Sequence, residues 1–253
     1  MRWKLWQEPS RGLDFFAKTM YTVYNDYPND YFAFDFEKNG DTRPMNDLLN
    51  TDDNRAAWEE LEKRCQACTG CALHKTKTNT VFGCGNRTSK IMFVGEAPGE
   101  SEDLQGLPFV GASGQLLDRY LDAVGLPRES VYIANILKCR PPHNRDPLPE
   151  EEDICINFLR AQLRLVKPKL LVCLGRIAAG RLIKPNFRIT AEHGKWFEKG
   201  GYELCAVYHP SALLRDASKR EDMLKDMWSI ARRVKELCAD EADKEADKKE
   251  ENA

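Results

Sequence analysis

Cysteine residues with ligand spacing are the first feature of this sequence that could do chemistry. Cys68 and Cys71 form a CxxC pair, Cys139 follows 68 residues later, and Cys155 comes 16 residues after that. Four thiolates gathered from such positions can hold a tetrahedral Zn²⁺ or a [4Fe–4S] cluster. The spacing leaves both metals open, although two widely separated ligands are more typical of an embedded cluster than of a compact zinc ribbon. Cys65 and Cys68 form a second CxxC pair, so the sequence leaves open which of the two pairs supplies the ligands.

The cellular compartment determines whether the nine cysteines of the chain can form stable disulfides. No run approaches the roughly 18 apolar residues of a membrane helix, and the N-terminus lacks the apolar core of an export signal. We therefore expect a cytoplasmic protein without a membrane segment, whose reducing surroundings disfavour structural disulfides. Cys173 and Cys205 lie inside apolar runs and are predicted to be core, and no role is predicted for Cys84 or Cys238.

Four apolar runs each end at glycine or polar residues, which form a second group of candidate site residues. The run that starts at Ile91 ends at Gly95-Glu96 and leads into a Gly/Pro loop, and the other runs end at Asn135, Gly175 and His209. In open α/β sheets, ligands bind beyond the carboxyl ends of the strands. We therefore expect these four strand ends to line one site.

The elements that must position these residues alternate between strand and helix. Strands are predicted at Ile91–Val94, Val131–Ile136, Leu170–Leu174 and Leu204–Tyr208, and helices at Gly114–Val124, Glu150–Val166, Arg176–Ile183 and Lys219–Cys238. Such alternation implies right-handed crossovers and a sheet that is covered on both faces. The predicted fold is a three-layer α/β/α arrangement around a central, four-stranded, mainly parallel sheet. The glycine-punctuated stretch Phe187–Tyr202 is predicted to be a hairpin or an excursion from that sheet.

Charge divides the chain into three parts. Residues 1–64 carry nine basic against thirteen acidic side chains and residues 239–253 carry three against seven, so each end has a net charge of −4 while residues 65–238 have +6. We predict an N-terminal extension of unknown role (1–64), a main domain (65–238) and an acidic, disordered tail (239–253). A basic body is compatible with a polyanionic partner such as nucleic acid.

Several motifs together resemble the family 4 uracil-DNA glycosylases, the iron–sulfur type. The matching stretches are CTGCALHKTKTN (68–79), VGEAPGESED (94–103), PFVGASGQLL (108–117), YIANILKCRPPHNRDPLPEE (132–151) and YHPSALLR (208–215). The resemblance covers residues 65 to about 235 and implies the uracil-DNA glycosylase-like fold. It also implies a monomeric enzyme that hydrolyses the N-glycosidic bond of uracil in single- or double-stranded DNA and starts base excision repair. It implies a [4Fe–4S] cluster on Cys68, Cys71, Cys139 and Cys155.

The resemblance also suggests a role for each residue of the strand-end site. Phe109 would stack on uracil, Asn135 would pair with the pyrimidine edge, and Gly95, Glu96 and Ala97 would cradle the base. His209 would stabilise the charge that the departing base acquires. Contacts to DNA are implied for Leu213 or Leu214 as the wedge that fills the vacated stack and for Arg215 at a phosphate, with weaker candidates at Lys75, Lys77, Arg140 and Arg145.

The group that places the attacking water is less clear. Family 1 enzymes have a water-orienting Asp at the position of Ala97, so this chain lacks that base. Glu96 and Glu102 remain, of which Glu102 is favoured, although a positioned water without any base would suffice for an oxocarbenium-like transition state. The alternative function is a non-catalytic iron–sulfur protein that binds nucleic acid, which would not need Phe109, Asn135 and His209 together.

Overall fold

The computed structural model of the chain describes residues 54–251, with side chains as far as residue 239. Its helices are α1 (Asn54–Gln66), α2 (Glu100–Gln105), α3 (Ala112–Ala123), α4 (Pro149–Val166), α5 (Arg176–Leu182), α6 (Ile189–Glu192), α7 (Pro210–Arg215) and α8 (Arg220–Glu251). Its strands are β1 (Cys84–Gly85), β2 (Ile91–Gly95), β3 (Tyr132–Asn135), β4 (Leu170–Leu174), β5 (Trp196–Lys199) and β6 (Tyr202–Val207). Short 3₁₀ turns lie at 72–75, 128–130, 142–144 and 217–219.

The strands form one six-stranded sheet in the order β1-β3-β2-β4-β6-β5. The four central strands are parallel, which confirms the predicted sheet and fold class. An antiparallel strand is added at each edge, since β1 pairs with β3 and β5 pairs with β6. The second of these is the hairpin expected within Phe187–Tyr202, which turns at Gly200-Gly201. The two-residue strand β1 was not predicted because two residues carry no periodic pattern.

Alternating side chains of the central strands supply cores on both faces of the sheet. Met92 and Val94 of β2 pack in a cluster with α1, α4 and α5. Ile91 and Phe93 face the other way and pack with α3, α7 and α8. This two-residue alternation is the pleat of a strand that is buried on both faces. The predicted three-layer α/β/α arrangement is therefore present.

Helix α1 is part of the first of these cores. The Trp58 side chain is 2% exposed, and its ring lies 6.0 Å from the Phe82 ring and 5.5 Å from the Tyr132 ring, between centroids. Leu61, one turn later on the same face, is also buried. The predicted boundary after residue 64 falls inside this helix, so residues 54–64 pack with the main domain. Residues 1–53 of the predicted extension lie outside the described residues.

The opposite end of the chain continues as helix. The backbone of α8 is helical through the acidic segment to Glu251, where the sequence predicts a tail without regular structure. The expected disorder of residues 239–253 stays a prediction. Within residues 54–251, no helix is both long and apolar enough to cross a membrane.

Replacing Trp58 tests whether α1 is an integral part of the fold. We expect Trp58→Ala to lower the free energy of unfolding by about 3–5 kcal/mol, because it removes a large buried ring and leaves a cavity. Urea unfolding followed by circular dichroism measures the change. Trp228→Ala is the matched control, since that side chain is 40% exposed and its loss should cost under about 1.5 kcal/mol. Equal losses from the two variants would contradict the placement of α1 in the core.

Candidate active site and cysteine pocket

Parallel pairing brings the ends of β2 and β3 to the same level. Gly95 is the register partner of Asn135, and the Ile136 N–H donates to the Gly95 carbonyl at 3.0 Å. A Cβ atom on Gly95 would lie 2.7 Å from Phe109 Cζ and would overlap with Asn135 Oδ1. Glycine is therefore required here, because the Asn135 amide and the Phe109 ring both occupy the space above its Cα. Three of the predicted base-binding residues thus meet at one point.

The amide oxygen of Asn135 has no partner among the described residues. The side chain is 2% exposed, and Oδ1 is buried without a hydrogen-bond donor. An orphaned buried acceptor costs about 1–3 kcal/mol, so such groups are rare in folded proteins. A ligand N–H that enters this site would satisfy the oxygen. The strand end is therefore built to receive a hydrogen-bond donor.

Glu102 holds the loop that carries Phe109. One carboxylate oxygen accepts from the N–H groups of Val110 and Gly111, both at 2.9 Å, and the other accepts from the Gly99 N–H at 3.1 Å. Glu102 thereby joins the Gly/Pro loop after β2 to the first turn of α3. Three charge-assisted hydrogen bonds make this a positioning role within the described structure.

His209 follows β6 and caps the N-terminus of α7. Its ring centroid lies 5.7 Å from that of Phe109. Nδ1 accepts from the Ser211 N–H at 3.1 Å, so in the neutral ring the proton resides on Nε2. The pKa of His209 is lowered to about 4, mainly by burial and then by Arg215, while Glu102 opposes the shift. At neutral pH the imidazole is therefore an uncharged donor through Nε2.

Glu96 is the second carboxylate at this edge of the sheet. Its pKa is raised to about 7, mainly by burial and then by the nearby Asp146, while Arg176 opposes the shift. In the part of the chain that the structure describes, its carboxylate has no hydrogen-bond partner. A carboxyl group whose pKa lies near neutrality is suited to acid–base work.

The expected DNA contacts differ in their exposure. Leu213 is 0% exposed and packs in the core between the sheet, α3 and α8, whereas Leu214 is 46% exposed. Arg215 is exposed beside it. Among the weaker candidates, Arg145 makes a two-pronged ion pair with the buried Glu151 at 2.6 and 2.9 Å. Leu214, Arg215 and the weaker candidate Lys75 are therefore exposed and able to meet DNA.

The four predicted ligand cysteines line one pocket. Cys68, Cys71, Cys139 and Cys155 surround it, and Cys65 contributes a fifth thiol from the last turn of α1. Two backbone N–H groups point at sulfur, from Gly70 to Cys68 at 3.4 Å and from Lys138 to Cys155 at 3.2 Å.

Burial disfavours the ionised form of Cys65, Cys71, Cys139 and Cys155, which a nearby cation would favour. Burial raises the pKa of Cys65 to about 12 and of Cys139 to about 11, and it also raises the pKa values of Cys71 and Cys155. Within residues 54–239 no three His, Cys, Asp or Glu side chains are arranged to hold a single metal ion. Four thiolates on one Zn²⁺ would lie about 3.8 Å apart, from Zn–S distances of about 2.3 Å. A four-iron cluster binds each thiolate to a different iron and needs wider spacing. The donor set fits such a cluster, including N–H groups that stabilise sulfur charge.

Lys138 is a residue that sequence reasoning missed. It is 1% exposed, and its Nζ donates to the Asn135 carbonyl at 2.9 Å and to Gln162 Oε1 at 2.7 Å. The same side chain lines the cysteine pocket, so it connects that pocket to the strand end that carries Asn135. A lysine in a sequence normally indicates an exposed cation. The only signal was its place directly after the long apolar run that contains β3.

Comparisons with known proteins show which family the chain is similar to. Residues 82–232 match the model of the uracil DNA glycosylase superfamily. The type-4 uracil-DNA glycosylase of Archaeoglobus fulgidus is 46% identical over 188 residues, which are 71% of this chain and 92% of that protein. The type-4 enzyme of Thermotoga maritima is 43% identical over 175 residues, 67% of this chain and 90% of that protein.

A type-5 uracil-DNA glycosylase is also similar to this chain, but less so than the type-4 enzymes. The type-5 uracil-DNA glycosylase of Pyrobaculum aerophilum is 36% identical over 146 residues, which are 51% of this chain and 64% of that protein. Both the identity and the coverage are lower than for the type-4 proteins. The family resemblance inferred from the sequence motifs is thus confirmed, and the chain belongs to the uracil DNA glycosylase superfamily, among the type-4 (family 4) uracil-DNA glycosylases.

Proposed function

We propose that this chain hydrolyses the N-glycosidic bond between uracil and deoxyribose in DNA and leaves an abasic site. The observation that carries the proposal is the buried, unpartnered Oδ1 of Asn135, which shares the space above Gly95 with the Phe109 ring. The names of the type-4 relatives support the same reaction. A non-catalytic nucleic-acid binder would not need this buried acceptor beside an aromatic ring and a neutral imidazole donor.

Uracil must leave the base stack in order to reach this site. Flipping a base costs a few kcal/mol, and aromatic stacking in the pocket returns part of that energy. With the base on Phe109, Asn135 Oδ1 would accept from uracil N3–H and its Nδ2 would donate to O4. Cytosine presents an acceptor at N3 and a donor at the exocyclic amine, so the same amide opposes it.

His209 is the candidate for stabilising the leaving group. As the glycosidic bond breaks, negative charge grows on the uracil ring and its carbonyl oxygens. A neutral Nε2–H that is already oriented by the Ser211 N–H can donate to such an oxygen without reorganisation. The lowered pKa of His209 keeps this donor uncharged at neutral pH, so it acts as a dipole and transfers no proton.

We assign the placement of water to Glu96 rather than to Glu102, the residue that the sequence favoured. Glu102 already accepts three backbone hydrogen bonds, which supports a positioning role. Glu96 has a free carboxylate and follows the glycine that borders the base site. In its ionised form it would accept a proton from water and stabilise the positive charge of the sugar in the transition state.

The surface of helix α7 is proposed to meet the DNA strand. Leu214 is exposed and would fill the gap that the flipped base leaves in the stack, while Arg215 would contact a phosphate. The expected contact of Leu213 is given up because that side chain is buried in the core. Binding to single- or double-stranded DNA, a monomeric state and a cytoplasmic location remain predictions.

A [4Fe–4S] cluster is proposed for the cysteine pocket, held by Cys68, Cys71, Cys139 and Cys155. Bound there, it would cross-link three segments of the chain and take no part in the hydrolysis. The gathering of the thiols in one pocket and the two N–H groups directed at sulfur support this assignment. Cys65 lies close enough to be the substitute ligand if the register is different.

Asn135→Leu tests the proposed reaction and its selectivity. Purified protein is incubated with a uracil-containing oligonucleotide, and alkali then breaks the strand at abasic sites. We expect cleavage at uracil and none at cytosine in the parent chain, and a loss on the order of 10²-fold or more in the variant, because the base loses two hydrogen bonds. Asn157→Ala on α4 serves as the control. An inactive parent chain with the expected fold and metal would contradict the enzymatic function, and an active Asn135→Leu chain would contradict the assigned reader.

The pH dependence of the rate tests Glu96. If the ionised carboxylate is needed, the single-turnover rate should rise with pH through a midpoint near 7 and then level off. Glu96→Gln should remove this step and lower the plateau, while Glu150→Gln at an exposed site should change neither. An unaltered profile in Glu96→Gln would mean that water needs no carboxylate here.

The raised pKa of Glu96 also makes the free energy of unfolding depend on pH. A raised pKa means that the folded chain favours the protonated form, so the stabilising contribution is complete below pH 4.5 and is lost as pH rises through about 7. Glu96→Gln should therefore raise the unfolding temperature at pH 8 more than at pH 5. Differential scanning calorimetry at the two pH values measures this difference independently of catalysis.

Metal analysis tests the cysteine pocket. Anaerobically purified protein should contain about four iron atoms and four acid-labile sulfides per chain and show broad visible absorption. Cys139→Ala should lose the iron and the solubility that depends on it, whereas Cys173→Ala, at a buried site in β4, should keep both. Zinc in place of iron would contradict the cluster. Full iron in Cys139→Ala would contradict the ligand set, and Cys65→Ala would then be examined.

A further inference from the structure

The backbone at Phe109 adopts a conformation that few aromatic residues tolerate. Its φ angle is +52°, in the left-handed region, although the residue is not glycine. Such a residue costs on the order of 1–3 kcal/mol and persists only where its surroundings over-determine it. The Phe109 carbonyl also lies directly against Gly114 of α3, where any Cβ would collide with it. The loop that carries the proposed stacking ring is therefore held under constraint.

Arg128 supplies much of that constraint from one side. Its Nη1 donates to the Phe109 carbonyl at 3.0 Å, and its Nη2 donates to the Pro108 carbonyl. The guanidinium is anchored in turn by Asp118 of α3 at 2.9 Å, with Cys84 at 3.4 Å as a further contact of Nη2. Only a planar fork can bind two successive carbonyls and a carboxylate at once.

Glu102 holds the same loop from the other direction. Arg128 binds carbonyls of residues 108 and 109, while Glu102 binds N–H groups of residues 110 and 111. The three consecutive peptide groups between residues 108 and 111 are thus fixed by one cation and one anion. Neither charge needs to touch the base, and Arg128 has no role in the reaction proposed above.

We infer that Arg128 is a positioning residue that fixes the Phe109 ring in its stacking orientation and so sets the reactivity towards the flipped pyrimidine. This inference rests on the proposed role of Phe109 in base binding. The Arg128 fork, together with Glu102, holds the left-handed turn in the free protein. The ring is therefore in place before the base arrives, so DNA binding does not have to supply the free energy that orients it.

A double-mutant cycle between Arg128 and Phe109 tests this inference. Arg128→Met removes the donors but keeps most of the side-chain volume, and we expect it to lower kcat/KM on uracil-containing DNA on the order of 10- to 100-fold. In the Phe109→Ala background the same substitution should change kcat/KM by less than about threefold, because no ring remains to be positioned. Arg119→Met is the matched control at an exposed site on α3 and should leave the rate unchanged.

Each outcome of the cycle supports one proposal or overturns one. If Phe109→Ala alone keeps full activity, the stacking role fails and the proposed base site is wrong at that residue. If Phe109→Ala is impaired but Arg128→Met lowers the rate equally in both backgrounds, the positioning role of Arg128 fails. Equal activity of Arg128→Met and the parent chain would also overturn it.

A second variant covers the case in which Arg128→Met does not fold. Arg128→Lys keeps the charge and the contact with Asp118 but cannot bridge both carbonyls. We expect this variant to retain the parent's unfolding temperature within a few degrees and to lose on the order of 10-fold in kcat/KM. Full activity of a folded Arg128→Lys chain would show that the two-carbonyl fork is not required.

Discussion

The close approach of Asn135 and Phe109 above Gly95 is the contact on which the whole site depends. It exists because β2 and β3 run parallel and in a register that pairs Gly95 with Asn135, so that both strands end at the same level. A side chain on residue 95 would displace the ring or the amide. The cores on both faces of the sheet, with alternate residues of β2 in each, hold the strand ends in that register.

Buried polar groups connect this contact to the cysteine pocket. Lys138 donates to the Asn135 carbonyl and lies against the thiols, and Gln162 holds the lysine while donating to the Phe82 carbonyl at 2.8 Å. A second connection runs through the buried Asp103, which accepts from the Thr78 N–H in the loop after the CxxC pair at 2.9 Å. Asp103 neighbours Glu102 on α2, which holds the loop of the stacking ring. If the cysteine pocket holds the proposed cluster, the cluster would therefore be linked by these hydrogen bonds to the proposed base site.

The strand ends could be predicted from the sequence because each apolar run stops at glycine or a polar residue, and parallel topology then places Gly95, Asn135 and His209 along one edge. The roles of Glu102 and Arg128 could not be predicted from the sequence, because the backbone groups that they bind come near only in the folded chain. Leu213 and Leu214 are chemically identical in the sequence, and only the rotation of α7 separates the buried one from the exposed one. The burial of Lys138 had only one signal in the sequence, its place directly after the apolar run that contains β3, and that place alone does not distinguish a buried lysine from a surface one.

The electrostatics of the site follow from its burial more than from any charged pair. Burial favours the uncharged form of both His209 and Glu96. It therefore lowers the pKa of His209 and raises the pKa of Glu96. A site of low polarity strengthens the interaction of a fixed N–H dipole with charge that develops on uracil. The same environment would destabilise a protonated imidazole next to Arg215. The proposed stabilisation of the leaving base by an oriented, neutral His209 therefore agrees with this burial, and it needs no proton transfer from that residue.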